Sequence, residues 1–125
     1  MKYLVDTHIF LWWIDNPKRL KDSVRNILED SKNQILSSVI NGVEISIKQK
    51  KGKLRLKTTL QEMFEASGFD VLEVNLKHVF GLSKLPLYHS DPFDRILTAQ
   101  AKVEGLTLIT ADEKIWKYKV SVMKA

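Results

Sequence analysis

The sequence predicts an α/β fold, a central parallel sheet covered by helices on both faces and so three layers deep. Two observations carry this. Short apolar runs of strand length recur along the chain, and stretches with helical apolar spacing separate them. Strands that alternate with helices imply a parallel sheet buried on both sides.

Each element has its local signal. Lys2 to Val5 reads as the first strand and Ile9 to Ile14 as a short helix. From Leu20 to Glu29, Leu20, Val24, Ile27 and Leu28 share one helical face. Gln34 to Ser37 is a strand, and Ser38 is a good N-cap for a helix to about Lys51, with Gly52 as its stop. A helix over Leu60 to Ser67 starts at the Thr59/Glu62 capping box and ends at Gly68. Phe69 to Val74 is a strand, followed by a short helix over Leu76 to Ser83 that Leu85-Pro86 closes. Asp91 caps and Pro92 opens a helix to Glu104, stopped by Gly105. Leu106 to Thr110 is a strand, and Lys119 to Met123 a last one after a helical turn.

No repeat, linker or low-complexity stretch divides the 125 residues, so a single domain over 1–125 is expected. That length can bury a core without disulfides. The absence of cysteine excludes a disulfide scaffold, a thiolate zinc site and thiol catalysis, and it suits a reducing cytoplasm. The apolar run after Lys2 meets Asp6 too early for a signal peptide. The run Ile9 to Ile14 is too short to span a bilayer, so no membrane association is expected. The formal net charge is +5. Sequestering four of the fifteen acids in one site leaves eleven against twenty cations, a basic surface around an acidic pocket. That distribution suits a polyanion held by a metal, although a plain basic protein has the same charge.

Four acids fall in places that matter. Asp6 directly follows the first strand, and Asp112 lies two residues after the strand ending at Thr110. Parallel α/β sheets bind ligands outside the carboxyl ends of their strands. Asp94 lies in the first turn of a helix that runs back along the sheet, and therefore starts at the same edge. Glu44 sits on the apolar side of its helix, four residues after Ile40 and three before Ile47. A carboxylate facing inward needs a metal, a base or a proton as partner. Each acid also has a structural reading. Asp6, Asp91 and Asp112 could cap the helix or turn next to them, Asp94 could complete a capping pair, and Glu44 could pair with a buried cation. The convergence of four placements favours a site. Four crowded carboxylates call for a hard divalent cation, Mg²⁺ or Mn²⁺, which can activate water against a phosphodiester.

The residues also carry a resemblance. MKYLVDTHIFL (Met1 to Leu11), SSVINGVEISIK (Ser37 to Lys48), HSDPFDRILTAQA (His89 to Ala101) and GLTLITAD (Gly105 to Asp112) resemble, in order and spacing, the acidic motifs of PIN-domain ribonucleases of the VapC toxin type. The match spans nearly the whole chain. It implies a three-layer α/β/α PIN-like fold and a Mg²⁺- or Mn²⁺-dependent endoribonuclease. It further implies a toxin of a type II toxin–antitoxin pair, an antitoxin partner and a homodimer. Carried over by motif, the family's acids fall on Asp6, Glu44, Asp94 and Asp112, and its small hydroxyl residue falls on Thr110. Asp91 is not among the core acids. One departure is Val43, where close relatives often have tryptophan before the second acid. It follows Gly42, which costs a helix about 1 kcal/mol against alanine.

On this reading Asp6, Asp94 and Asp112 hold the metal, Glu44 completes the shell or positions water, and Thr110 orients Asp112 or a metal-bound water. Lys48, Lys50, Lys51, Lys53, Arg55 and Lys57 crowd one stretch with no acid among them, a candidate RNA-backbone contact. The run Ile9 to Ile14, with Trp12 and Trp13, reads as a buried helix or as a face for antitoxin or a second protomer, and Trp116 and Tyr118 stay open in the same way. His8, His78 and His89 lack zinc spacing and read as structural or as incidental neighbours of the site. A receiver domain or a dehalogenase-type phosphatase would need a second acid next to Asp6, which Thr7-His8 does not supply. The remaining alternative is a non-catalytic PIN-fold module that binds RNA or protein.

Overall fold

A computed structural model describes residues 1–125. Five strands, β1 (Lys2–Val5), β2 (Gln34–Ser38), β3 (Asp70–Leu72), β4 (Thr107–Thr110) and β5 (Val122–Lys124), pair in the order β3-β2-β1-β4-β5. All four pairings are parallel. Six helices cover the sheet: α1 (Thr7–Asp15), α2 (Asp22–Glu29), α3 (Val39–Lys50), α4 (Leu60–Ser67), α5 (Leu76–Ser83) and α6 (Pro92–Glu104). The fold is the expected three-layer α/β/α arrangement.

The period of two along each strand sorts the core into two halves. Tyr3, Val5, Ile35 and Ile109 face one way, into a cluster with Ile9, Phe10, Val24, Leu28, Ile45 and Met63 from α1 to α4. Leu4 and Leu108 face the other way, toward Leu97 and Ala101 of α6. Full burial of side chains such as Leu4, Phe10 and Leu97 contributes about 1.5–3 kcal/mol each. Phe10 and Phe64 meet at 4.8 Å between ring centres. A Cβ on Gly42 would lie 3.2 Å from the Phe64 ring, so the mid-helix glycine lets α4 close onto α3.

Several element ends differ from the sequence expectation. The first helix starts at Thr7 rather than Ile9, because Asp6 caps it. The second starts at Asp22, since Pro17–Arg19 forms a separate 3-10 turn that leaves Leu20 extended. Both edge strands are short: β3 pairs only with β2 and β5 only with β4, so nothing on the outer side extends them. No helix is long and apolar enough to cross a membrane.

The strand order decides where a ligand can sit. The chain leaves β1 toward β2 and β3, then crosses back to β4 on the other side of β1. Outside the carboxyl ends of β1 and β4 lies the switch point where open α/β sheets form their binding crevice.

Candidate functional site

Asp6 follows β1 at this switch point. Its amide donates to the Ile109 carbonyl at 3.1 Å, which holds it against β4. Its Oδ1 accepts the Ile9 amide at 2.9 Å and so caps α1. The hydroxyl of Thr110, buried at the end of β4, hydrogen-bonds the same carboxyl. Burial raises the Asp6 pKa above the usual carboxylate range, and the nearby Glu44 charge adds to this. The bonds from Thr110 and Ile9 oppose the rise without cancelling it.

Glu44 is delivered by α3, whose start is tied to the same edge. Ser38 Oγ accepts the Ile40 amide at 3.0 Å, and Asn41 Oδ1 accepts the Ser38 amide at 2.7 Å. Asn41 Nδ2 then donates to Thr7 Oγ1 at 3.0 Å, locking α3 to α1 beside Asp6. Glu44 is buried, and Lys48 one turn on donates to its Oε2 at 2.6 Å. Its other oxygen, Oε1, is buried without any hydrogen-bond partner. The bond to Glu44 raises the Lys48 pKa, and the charges of Asp91 and Asp94 add to it. Of the basic stretch, then, Lys48 belongs to the acid pocket, whereas Lys50, Lys51, Lys53 and Arg55 are exposed and unpaired.

Asp91 is a cap, as read from sequence: its Oδ1 accepts the Phe93 amide at 2.9 Å and the Asp94 amide at 3.0 Å. Asp94 on the first turn of α6 therefore points into the switch-point crevice. Its pKa is raised to about 7, chiefly by burial, then by the charges of Asp91 and Glu44. Asp112 follows β4. Its amide donates to Thr110 Oγ1 at 3.0 Å, and its Oδ1 accepts the Lys114 amide at 2.9 Å. Partial burial pushes its pKa up, but the bonds from His89 and Lys114 outweigh that and hold it below the usual range.

His89 lies at the centre of this cluster. Its Nε2 is 2.7 Å from Asp112 Oδ2 and 3.0 Å from Asp94 Oδ2. Its Nδ1 accepts the Asp91 amide at 3.1 Å, which places the ring proton on Nε2, facing the two carboxylates. The ligand atoms of His89, Asp94 and Asp112 all lie within 4.8 Å of one another. With Nδ1 engaged, Nε2 serves as a donor bridging two acids rather than as a free metal-ligand nitrogen. The His89 backbone is pinned in turn: its amide donates to Tyr118 Oη at 3.0 Å, and Arg95 donates to the same oxygen at 3.1 Å. The sequence reads His89 as structural or as an incidental neighbour of the site; the structure makes it the bridge between two of the acids. The usable signal was its position two residues before the cap of α6, which the motif HSDPFDR contains.

Asp6, Glu44 and Asp94 thus feel one another's charge, and Asp112 joins them through His89 and Thr110. Their donors are nearly all carboxylate oxygens, the set a hard divalent cation prefers. The orphaned Glu44 Oε1 is the kind of buried acceptor such an ion satisfies. The aromatic run of α1 is largely core: Ile9 and Phe10 are buried, and Trp13 stacks on Phe69 at 5.6 Å and donates to the Ser67 carbonyl. Tyr118 is buried as the His89 support, and Trp116 donates to the Thr110 carbonyl at 3.1 Å.

Comparison with known proteins bears on the fold. No curated protein sequence matches the chain. Among solved structures it is similar to one of VapBC2 from Rickettsia felis bound to a promoter DNA fragment, with TM-score 0.78 at 20% identity, covering 100% of this chain and 99% of that one. It is similar to DNA-bound VapBC from Salmonella typhimurium, with TM-score 0.71 at 13% identity, covering 99% and 98%. It is similar to VapBC-5 from Mycobacterium tuberculosis, described as a member of the VapBC family of toxin–antitoxin systems, with TM-score 0.62 at 14% identity, covering 99% and 98%. The PIN domain family model matches residues 3–120. Spanning nearly all of the sequence, that match means the chain belongs to the PIN-domain family.

Proposed function

We propose that this PIN domain is a Mg²⁺- or Mn²⁺-dependent endoribonuclease, and that it is the toxin of a type II toxin–antitoxin pair. The observation that carries the enzymatic part is the buried Glu44 Oε1, left without a partner within the charge field of Asp6 and Asp94. The toxin part rests on the likeness to VapBC structures. An antitoxin partner and a homodimer belong to the same proposal.

Asp6, Asp94, Asp112 and Glu44 would hold the cation, which when bound acidifies water and neutralises charge on a phosphodiester under attack. Asp6 is fixed for this by its cap bond to Ile9 and by Thr110, whose hydroxyl links the acids at the ends of β1 and β4. Such fixed orientation is what keeps ligands in place as charge changes during reaction. Where Glu44 positions water instead of completing the shell, its Oε1, free of competing donors, would accept a proton from that water. Lys48, held on Glu44 and partly exposed, offers the nearest cation to a phosphate oxygen. The exposed Lys50, Lys51, Lys53 and Arg55 extend that positive field along the RNA backbone.

The test is cleavage of a mixed RNA pool by antitoxin-free protein with Mg²⁺ or Mn²⁺, against EDTA and beside Asp6→Asn. Cutting that needs the metal and disappears in the variant is the expected result. Undiminished cutting by Asp6→Asn would overturn the site assignment.

A further inference from the structure

We propose that the cleft between α1 and the end of α3 is a nucleobase subsite, holding the nucleotide next to the scissile phosphate. The inference rests on the ribonuclease reading above and extends it from phosphate chemistry to base recognition. The cleft has a volume of about 420 Å³. That lies within the range of small-ligand sites.

Its position ties it to the acids. Thr7, on its wall, is the residue after Asp6, and Lys48, also on its wall, is bonded to Glu44. A chain whose phosphate sits among the carboxylates therefore has its neighbouring nucleotide at this opening. The lining suits that occupant. Leu11 and Leu54 supply apolar surface, and Trp12 and His8 supply rings 6.0 Å apart with a 46° tilt. The Arg19 guanidinium rests on the Trp12 ring, 4.7 Å from its centre, and steadies the indole. Lys48 and Lys53 bring positive charge to the same small space, against one carboxylate, Asp15, on its wall. Single-stranded RNA is held by this pairing of aromatic faces for bases with cations for the backbone. An apolar ligand would leave the two lysines without purpose, and a bare phosphate would leave the rings without one.

Equilibrium binding in Mg²⁺ tests it, with the Asp6→Asn protein as parent so that RNA survives. Asparagine caps a helix as aspartate does, so α1 keeps its start. The probes are a fluorescein-labelled random-sequence RNA dodecamer and an abasic ribose-phosphate oligomer of the same length. The parent is expected to prefer the RNA by about tenfold or more. Trp12→Leu, which keeps apolar bulk, should remove most of that preference while leaving abasic binding and its salt dependence unchanged. Trp12→Phe should retain part of it. His8→Ala alters an exposed side chain, so it keeps the fold and should show a smaller loss even if a Trp12 variant misfolds. A parent that prefers RNA, with the preference intact in His8→Ala and in folded Trp12→Leu, would place base recognition elsewhere. Equal binding of both oligomers by the parent would overturn the subsite and leave the phosphate reading standing. No binding of either would overturn the ribonuclease reading and the subsite with it.

Discussion

The Nε2–H of His89 donates to Asp112 at 2.7 Å and reaches Asp94 at 3.0 Å, joining acids that stand on different elements. Asp94 opens α6 and Asp112 follows β4, and the packing of α6 beside β4 brings the two acids within reach of one ring. His89 bridges them in a fixed orientation, because the Asp91 amide fixes its tautomer and Tyr118 fixes its backbone. Replacing it by alanine should weaken Mn²⁺ binding and slow RNA cleavage by roughly 10–100-fold, the usual effect of losing a support behind metal ligands. His89→Gln, which keeps a side-chain N–H donor, should recover part of both. Titration calorimetry with Mn²⁺ and single-turnover cleavage decide it. Unchanged Mn²⁺ affinity in a folded His89→Ala protein would refute the role.

Lys48 is the only side chain bonded to the buried Glu44 carboxylate. Lys48→Met keeps the aliphatic stem but leaves that carboxylate unpaired. Metal-free protein should lose about 1–3 kcal/mol, the cost of an unsatisfied buried polar group. Saturating Mn²⁺ should recover much of the loss if Glu44 faces the ion. Urea unfolding with and without Mn²⁺ measures both, and an equal loss in the two conditions would detach Glu44 from the metal.

Asp94 titrates at about 7, above its ordinary 3.8, because it is largely buried beside Asp91 and Glu44. A raised carboxylate pKa means that the folded protein holds a proton which the unfolded chain has released. Metal-free stability should therefore fall as pH rises from about 4 to about 7, and the raised pKa of Asp6 acts in the same direction. Metal binding needs the ionised form, so Mn²⁺ affinity should rise over the upper part of the same window, with proton release. Calorimetry in buffers of different ionisation enthalpy reads the protons. A flat affinity between about pH 6 and about pH 8 would contradict the assignment.

Asp91 both caps α6 and raises the Asp94 pKa by its charge. The two effects separate by substitution. Asp91→Asn retains a capping oxygen and removes the charge, so the pH profile of cleavage should move toward acid with little change in stability. Asp91→Ala should cost about 1 kcal/mol as well, through the lost cap. An unmoved profile in Asp91→Asn would mean that Asp94 does not govern it.

Local physics made most of this protein legible in the sequence. The alternation of apolar residues, the caps at Ser38, Thr59 and Asp91, and the stops at Gly52, Gly68 and Gly105 are short-range signals, and they produced the elements and the parallel sheet. They also placed Asp6, Glu44, Asp94 and Asp112 at one edge, because each acid has a set distance along the chain from an element's end. Tertiary structure decided the rest. The order β3-β2-β1-β4-β5 put the ends of β1 and β4 side by side, so that Thr110 could serve Asp6 as well as Asp112. No periodicity links His89 and Asp94 to Asp112, and only the packing of α6 beside β4 brings the three within 4.8 Å. The pairing of Lys48 with Glu44 is an i,i+4 contact within α3, but the orphaned Oε1 arises from burial, a property of the assembled layers rather than of any single segment.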